Sequence, residues 1–232
     1  MNTLPTPPYR GGELTSPHPL EDRARPILRR ARSLSLGPNG RIDEKDFLIP
    51  VMPLFEGAFT AFARGALVDT TDGPVAIEDL LPGDRVLTVD GDPMPVLWIG
   101  ATTVQARNIP GQPKPLPIYR IASEAFGVGR PIAHLVTGPS ARLRRTPGHM
   151  RTQAMNQPVL TPVAVFEDGV TITRTTPPSA VELFHFCLPH HAVVRISGLE
   201  AETYHPGHGA AGEVGPALRK LFFEMFPHIE DA

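Results

Sequence analysis

The sequence predicts a mostly β domain of about ten to twelve short strands, with one C-terminal α-helix behind it and a disordered arm before it. Three observations carry this. From residue 61 onward, short runs of apolar and β-branched residues alternate with Gly, Pro and Asp turn signals. The chain holds 28 prolines in 232 residues, well above the roughly 5% average, and only 41% apolar residues, so part of it is not expected to pack. Only one stretch, near the C-terminus, spaces its apolar residues for a helix.

Composition narrows the function classes. Lys plus Arg is 22 and Asp plus Glu is 24, a formal charge of −2. That balance gives no general attraction to nucleic acid or to an anionic membrane, and no basic stripe interleaved with aromatics appears. Cys187 is the single cysteine, so one chain can form neither an internal disulfide nor a thiolate zinc cluster. The first 25 residues hold no apolar core of a signal peptide, and no run reaches the ~18 apolar residues of a membrane span. The expectation is a soluble, cytoplasmic protein without a cofactor.

Residues 1–46 carry prolines at 5, 7, 8, 17, 19, 26 and 38 and no sustained periodicity, which reads as a disordered Pro/Arg-rich arm. Within it, RRARSLS places Ser33 three residues after Arg30, a pattern that basophilic kinases accept. Residues 47–60 are apolar but broken by Pro50 and Pro53, an extended lead-in. The β region follows. Leu67 and Val68 begin a strand that Asp72-Gly73 closes. Leu81-Pro82-Gly83-Asp84 reads as a type II turn, because proline presets φ at its second position and glycine accepts positive φ at its third. RVLTV (85–89) ends at the hairpin signal Asp90-Gly91, and MPVLWIG (94–100) sets Trp98 to fill the core. A proline-rich loop at 110–117 separates these from IYRIA, IAHLVTG, PVLTPVAVF, VTITRTT, VELFHFCL and AVVRISG. At the end, Leu218, Leu221, Phe222 and Met225 share one helical face behind Pro216. A helix of this kind covers its own core; presenting that face to a protein partner is the alternative.

Residues 61–100 resemble the opening of the Hint domain, the module of Hedgehog autoprocessing domains and inteins, with the bacterial stand-alone type the nearest match. RPIAHLVTGPSARL (130–143) and HHAVVRISGLEAETYHPG (190–207) are similar to its later motifs, in the same order. The resemblance implies an all-β, horseshoe-shaped fold over residues 61–207; the helical spacing leaves residues 208–232 as helix and tail. It also implies an N-to-S or N-to-O acyl shift. A Cys or Ser at the first position attacks the preceding carbonyl, and a later histidine helps to protonate the leaving nitrogen.

Here the first position falls on Ala61. Aligned through Arg130-Pro131 and Pro139, the histidine position falls on Ala141. Neither methyl group can do the chemistry. Thr60 and Ser140 offer neighbouring hydroxyls, although a one-residue slip would turn Thr60 to the opposite face of its strand. His149, in Thr146-Pro-Gly-His149, has the spacing of the intein histidine block and competes with Ala141 for that assignment. His191 matches a histidine of the late motif. A separate set, His185, Cys187, His190 and His191, has spacings that zinc could use, though a buried Cys187 on a core strand is the plainer account. The sequence therefore reads as a non-catalytic Hint-type structural or interaction module, with protein contacts through the arm or the C-terminal helix. The alternatives are a residual self-processing domain using Thr60 or Ser140 with His149 or His191, and a His-rich metal-binding module.

Overall fold

Sheet pairing begins well before residue 61. The computed structural model describes residues 27–150, 158–207 and 209–229, without the side chains of His149, Ala211 and Glu213. Strands β1 (Leu28–Leu36) and β2 (Ile42–Pro50) form a nine-pair antiparallel hairpin, and β1 also pairs with β8 (Trp98–Val104). This corrects the expected arm over residues 27–46; residues 1–26 lie outside those described. The reason is local. Arg29, Ala31, Ser33 and Ser35 face inward and are buried, while Leu28 and Arg30 face outward. The alternation is therefore real but inverted in polarity, with small polar groups where a strand usually buries large apolar ones. Ser33 sits between Lys45 and Gly100 and is buried, so it is not the open acceptor that its flanking arginines suggest.

The lead-in is extended only as far as Pro50. Pro53 then starts a one-turn helix, α1 (Pro53–Glu56), which buries Phe55. The chain continues through β3 (Phe62–Ala63), β4 (Leu67–Thr70), β5 (Gly73–Ala76), β6 (Arg85–Val86) and β7 (Met94–Pro95). Between β5 and β6, Gly83 takes a φ of +105°, as the turn chemistry requires. After β8 come β9 (Ile118–Ile121), β10 (Leu135–Thr137), β11 (Arg142–Arg144), β12 (Leu160–Pro162), β13 (Ile172–Thr175) and β14 (Val181–Cys187). Strands β15 (Val193–Ile196) and β16 (Leu199–Glu202) precede α2 (Pro216–Met225). Sixteen strands among the described residues exceed the expected number, because the hairpin is ordered and several strands span only two or three residues.

One sheet runs β13-β9-β10-β3-β14-β8-β1-β2, and the other runs β12-β11-β16-β15-β4-β6-β7, with β5 beside β4. The main core lies among their apolar faces and includes Phe62, Val68, Ile121, Leu143, Phe184 and Ile196. A second core surrounds Trp98 and Cys187. Its other members come from both ends of the chain: Ala31, Ile49, Phe55, Ala58 and Phe59 from one side, Phe222, Met225 and Phe226 from the other. The Trp98 indole N–H donates to the Met225 carbonyl at 2.7 Å, and Phe59 and Phe226 pack against its ring. Gly100 is small of necessity, since a Cβ there would lie 2.2 Å from the Trp98 ring and 2.6 Å from Phe59. Helix α2 spends its apolar face on this core.

Candidate functional site

The Thr60–Ala61 peptide enters β3 between β10 and β14, held on both sides. Ala61 donates its N–H to the Phe184 carbonyl at 3.2 Å, and its own carbonyl accepts from Gly138 N–H at 2.7 Å. The Thr60 carbonyl accepts from Ser140 N–H at 3.2 Å. Gly138 makes this close approach possible, because a Cβ there would stand 2.2 Å from the Thr60 oxygen. The Gly138-Pro139-Ser140 turn thus lies directly against the carbonyl that a first-position nucleophile would attack.

Around the peptide the side chains are inert or occupied. Ala61 and Ala141 are fully buried and belong to the same apolar cluster. The Thr60 hydroxyl donates to the Glu56 carbonyl at 2.8 Å and lies 3.0 Å from Ser140 Oγ, which leaves Ser140 as donor in that pair. The structure therefore brings Thr60, Ser140, Ala61 and Ala141 together. His149 lies on a 3₁₀ turn, Gly148–Met150, and its side chain is outside those described. His191 is elsewhere: its Nε2 sits 2.8 Å from Glu202 Oε1, and its ring stands beside His205.

Sequence reasoning placed His185 in a metal set, but the structure places it beside the junction. Its Nδ1 lies 3.0 Å from the Gly57 carbonyl and its Nε2 3.3 Å from the Glu202 carbonyl. Burial holds its pKa below the ordinary histidine value, so the ring is neutral and has one N–H for two carbonyls. His185 helps to line a cleft of about 300 Å3 with Ser140, Arg142, Glu202, Thr203 and His205. Its signal in the sequence was only its place in an alternating strand, which could not show what it faced. Cys187 is buried in the Trp98 core, where burial pushes its thiol pKa up, and His190 is exposed. Those four residues are not gathered, and among the described residues no group of three or more His, Cys, Asp or Glu is placed to hold a metal ion.

Two histidines make stability acid-sensitive. Burial lowers His228 to about 4, with His205 nearby as a second cause, and lowers His185 as well. Unfolded histidines titrate near ~6.5. Between about pH 6.5 and 4 the unfolded chain takes up protons that the folded chain refuses, so stability is full above that window and falls within it. Asp168, held low by the Ile172 backbone N–H and its neighbours, adds losses only in stronger acid. The urea midpoint should drop between about pH 7.5 and 5, and His228→Phe should shrink the drop. Equal midpoints at the two pH values would contradict this account.

A model of the Hint domain family matches residues 60–208, more than half of the chain. The chain belongs to the Hint family. Similar solved structures include the bacterial intein-like domain from Clostridium thermocellum, at 13% identity and a TM-score of 0.39, covering 63% of this chain and 99% of that one. The MchDnaB-1 intein is similar at 17% identity and a TM-score of 0.38, covering 62% of this chain and 100% of that one. No curated protein matches the chain. The match to this Hint domain opens at Thr60, so β1, β2, α1 and α2 all lie outside it. Those segments supply most of the residues that pack on Trp98, which with Cys187 lies inside the match. No helix among the described residues is long and apolar enough to cross a membrane.

Proposed function

We propose that this Hint domain does not process its own chain and is retained as a structural or interaction module. The observation that carries the reading is the pair of buried alanines. Ala61 stands at the position that the family resemblance gives to the nucleophile, Ala141 at one of its two candidate positions for the proton-donating histidine (His149 is the other), and both alanines are packed into one apolar cluster. A methyl group supplies neither an attacking lone pair nor a proton. The Ala61 nitrogen, which would have to leave, keeps its N–H in a sheet bond to Phe184. The architecture supports the same reading. A processing domain gains from a flanking segment that can depart, whereas here residues 28–59 supply two strands and part of a core.

A specific contact favours the second reading, residual self-processing: the hydroxyls of Thr60 and Ser140 meet at the junction. Prolonged incubation with thiol or hydroxylamine, followed by intact mass, separates the two. The expected result is a single species at 25.1 kDa. Cleavage next to Thr60 that disappears in Ser140→Ala would establish the second reading instead.

A further inference from the structure

Among the described residues the hairpin ends the first sheet, and β2 is its last strand. Edge strands in native proteins are usually short, covered or bent. This one is nine residues long, and residues 42–46 are exposed on both faces. Its backbone parity follows from bonds at the two ends of the hairpin. Gly37 N–H donates to the Arg41 carbonyl and Val51 N–H to the Ile27 carbonyl. Hydrogen-bonded pairs alternate along an antiparallel ladder. In this register Asp43, Lys45, Phe47 and Ile49 therefore turn their backbone groups toward β1, while Ile42, Glu44, Asp46 and Leu48 turn theirs away from the sheet. No described residue bonds those four outward N–H groups.

The side chains of the same four residues share one face, and they alternate apolar, acidic, acidic, apolar. Ile42 and Leu48 are 43% and 56% exposed. Glu44 reaches Arg32 only across 3.5 Å with both groups half exposed, a weak contact. A second copy pairing antiparallel about Lys45 would set Glu44 against Asp46 and Lys45 against itself, so the pattern disfavours self-association. A basic strand meets the opposite situation.

We propose that the outward edge of β2 accepts an extended basic peptide by strand addition, the added strand reading apolar-x-basic-x-basic-x-apolar. Main-chain bonds to residues 42, 44, 46 and 48 would supply affinity, and Glu44 and Asp46 the selection. The proposal rests on the interaction half of the function proposed above. The edge lies outside the Hint match, so binding at β2 is independent of whether the junction cleaves.

The test uses the full chain and a fluorescein-labelled Leu-Thr-Arg-Thr-Lys-Thr-Leu peptide, with a Leu-Thr-Glu-Thr-Glu-Thr-Leu counterpart, read by anisotropy. The basic peptide should bind at least about tenfold more tightly than the acidic one, and added salt should weaken it. Glu44→Lys with Asp46→Lys should reverse the preference. Glu44→Pro removes one outward N–H and no hairpin bond, so it should weaken binding about tenfold. Trp98 fluorescence and melting should stay close to wild type in Glu44→Pro, which establishes that the hairpin is intact. Equal binding of the two peptides, or binding unaffected by Glu44→Pro, would overturn the proposal. So would a dimer of the free chain that Glu44→Pro dissolves, since a second copy would then hold the edge. Intact mass after each titration reports on the junction separately.

Discussion

Truncation after Gly212 is expected to leave a chain that aggregates or melts far below the full-length protein. The cut removes Phe222, Met225 and Phe226, all fully buried against Trp98 and the segment before residue 60. Burying a side chain of this size contributes about 1.5–3 kcal/mol, so three together approach the ~5–15 kcal/mol that holds a typical domain folded. The cut also takes away the Met225 carbonyl that accepts the Trp98 N–H and opens that buried ring to water. Circular dichroism, thermal melting and Trp98 emission measure the effect. A truncated chain that melts like the full one would mean that α2 is an accessory and that its face is free for a partner.

Ala61→Cys combined with Ala141→His is expected to cleave between Thr60 and residue 61, while either change alone leaves the chain whole. The thiol adds to the Thr60 carbonyl carbon and gives its proton to the imidazole, which passes it to the nitrogen as the C–N bond breaks. The product is a thioester that added thiol or hydroxylamine then opens. Nucleophile and donor act on one step, so their effects are not additive. The donor contributes ~10²–10⁴-fold, enough to show over hours. Ser140 N–H already bonds the Thr60 carbonyl oxygen, where negative charge develops as the carbon is attacked. Ala141 is fully buried, and an imidazole there overpacks the core at about 1–3 kcal/mol; the assay therefore belongs at low temperature. The fragments should still elute as one particle without denaturant, because the first carries β1, β2, Phe55 and Phe59. A folded double variant that never cleaves would show that more than these two groups is missing.

Much of the β region was legible because its turns are encoded locally. Asp168 accepts from the N–H groups of Val170, Thr171 and Ile172, and Gly83 takes the φ that its turn demands; both are visible as residue types at fixed spacing. The hairpin before the junction was not legible, because its buried side reads Arg-x-Ala-x-Ser-x-Ser. Those small residues fit there because the bulk comes from elsewhere. Ser33 lies opposite Gly100, on the face that the rings of Trp98 and Phe59 fill. Arg29 is tolerated because Glu56, 27 positions along the chain, bonds it at 2.8 Å. No local periodicity encodes a partner at that distance. At the junction the residue types of Ala61 and Ala141 could be read, but their common cluster could not, since it depends on how β3, β10 and β14 pair. His185 was assigned by its neighbours in sequence, whereas its contacts are carbonyls of Gly57 and Glu202 from two other segments.

The Trp98 core joins the two ends of the chain, which has a consequence for vectorial synthesis. The aromatic wall that covers the hairpin waits for Phe222 and Phe226, which leave the ribosome nearly two hundred residues after it. At ~5–20 residues per second, that delay lasts on the order of ten seconds or more. From the emergence of Trp98 until α2 follows, the nascent chain carries an uncovered tryptophan pocket. The domain therefore completes itself only after translation has passed its last helix, and nascent-chain chaperones have their longest opportunity on the face that α2 will seal.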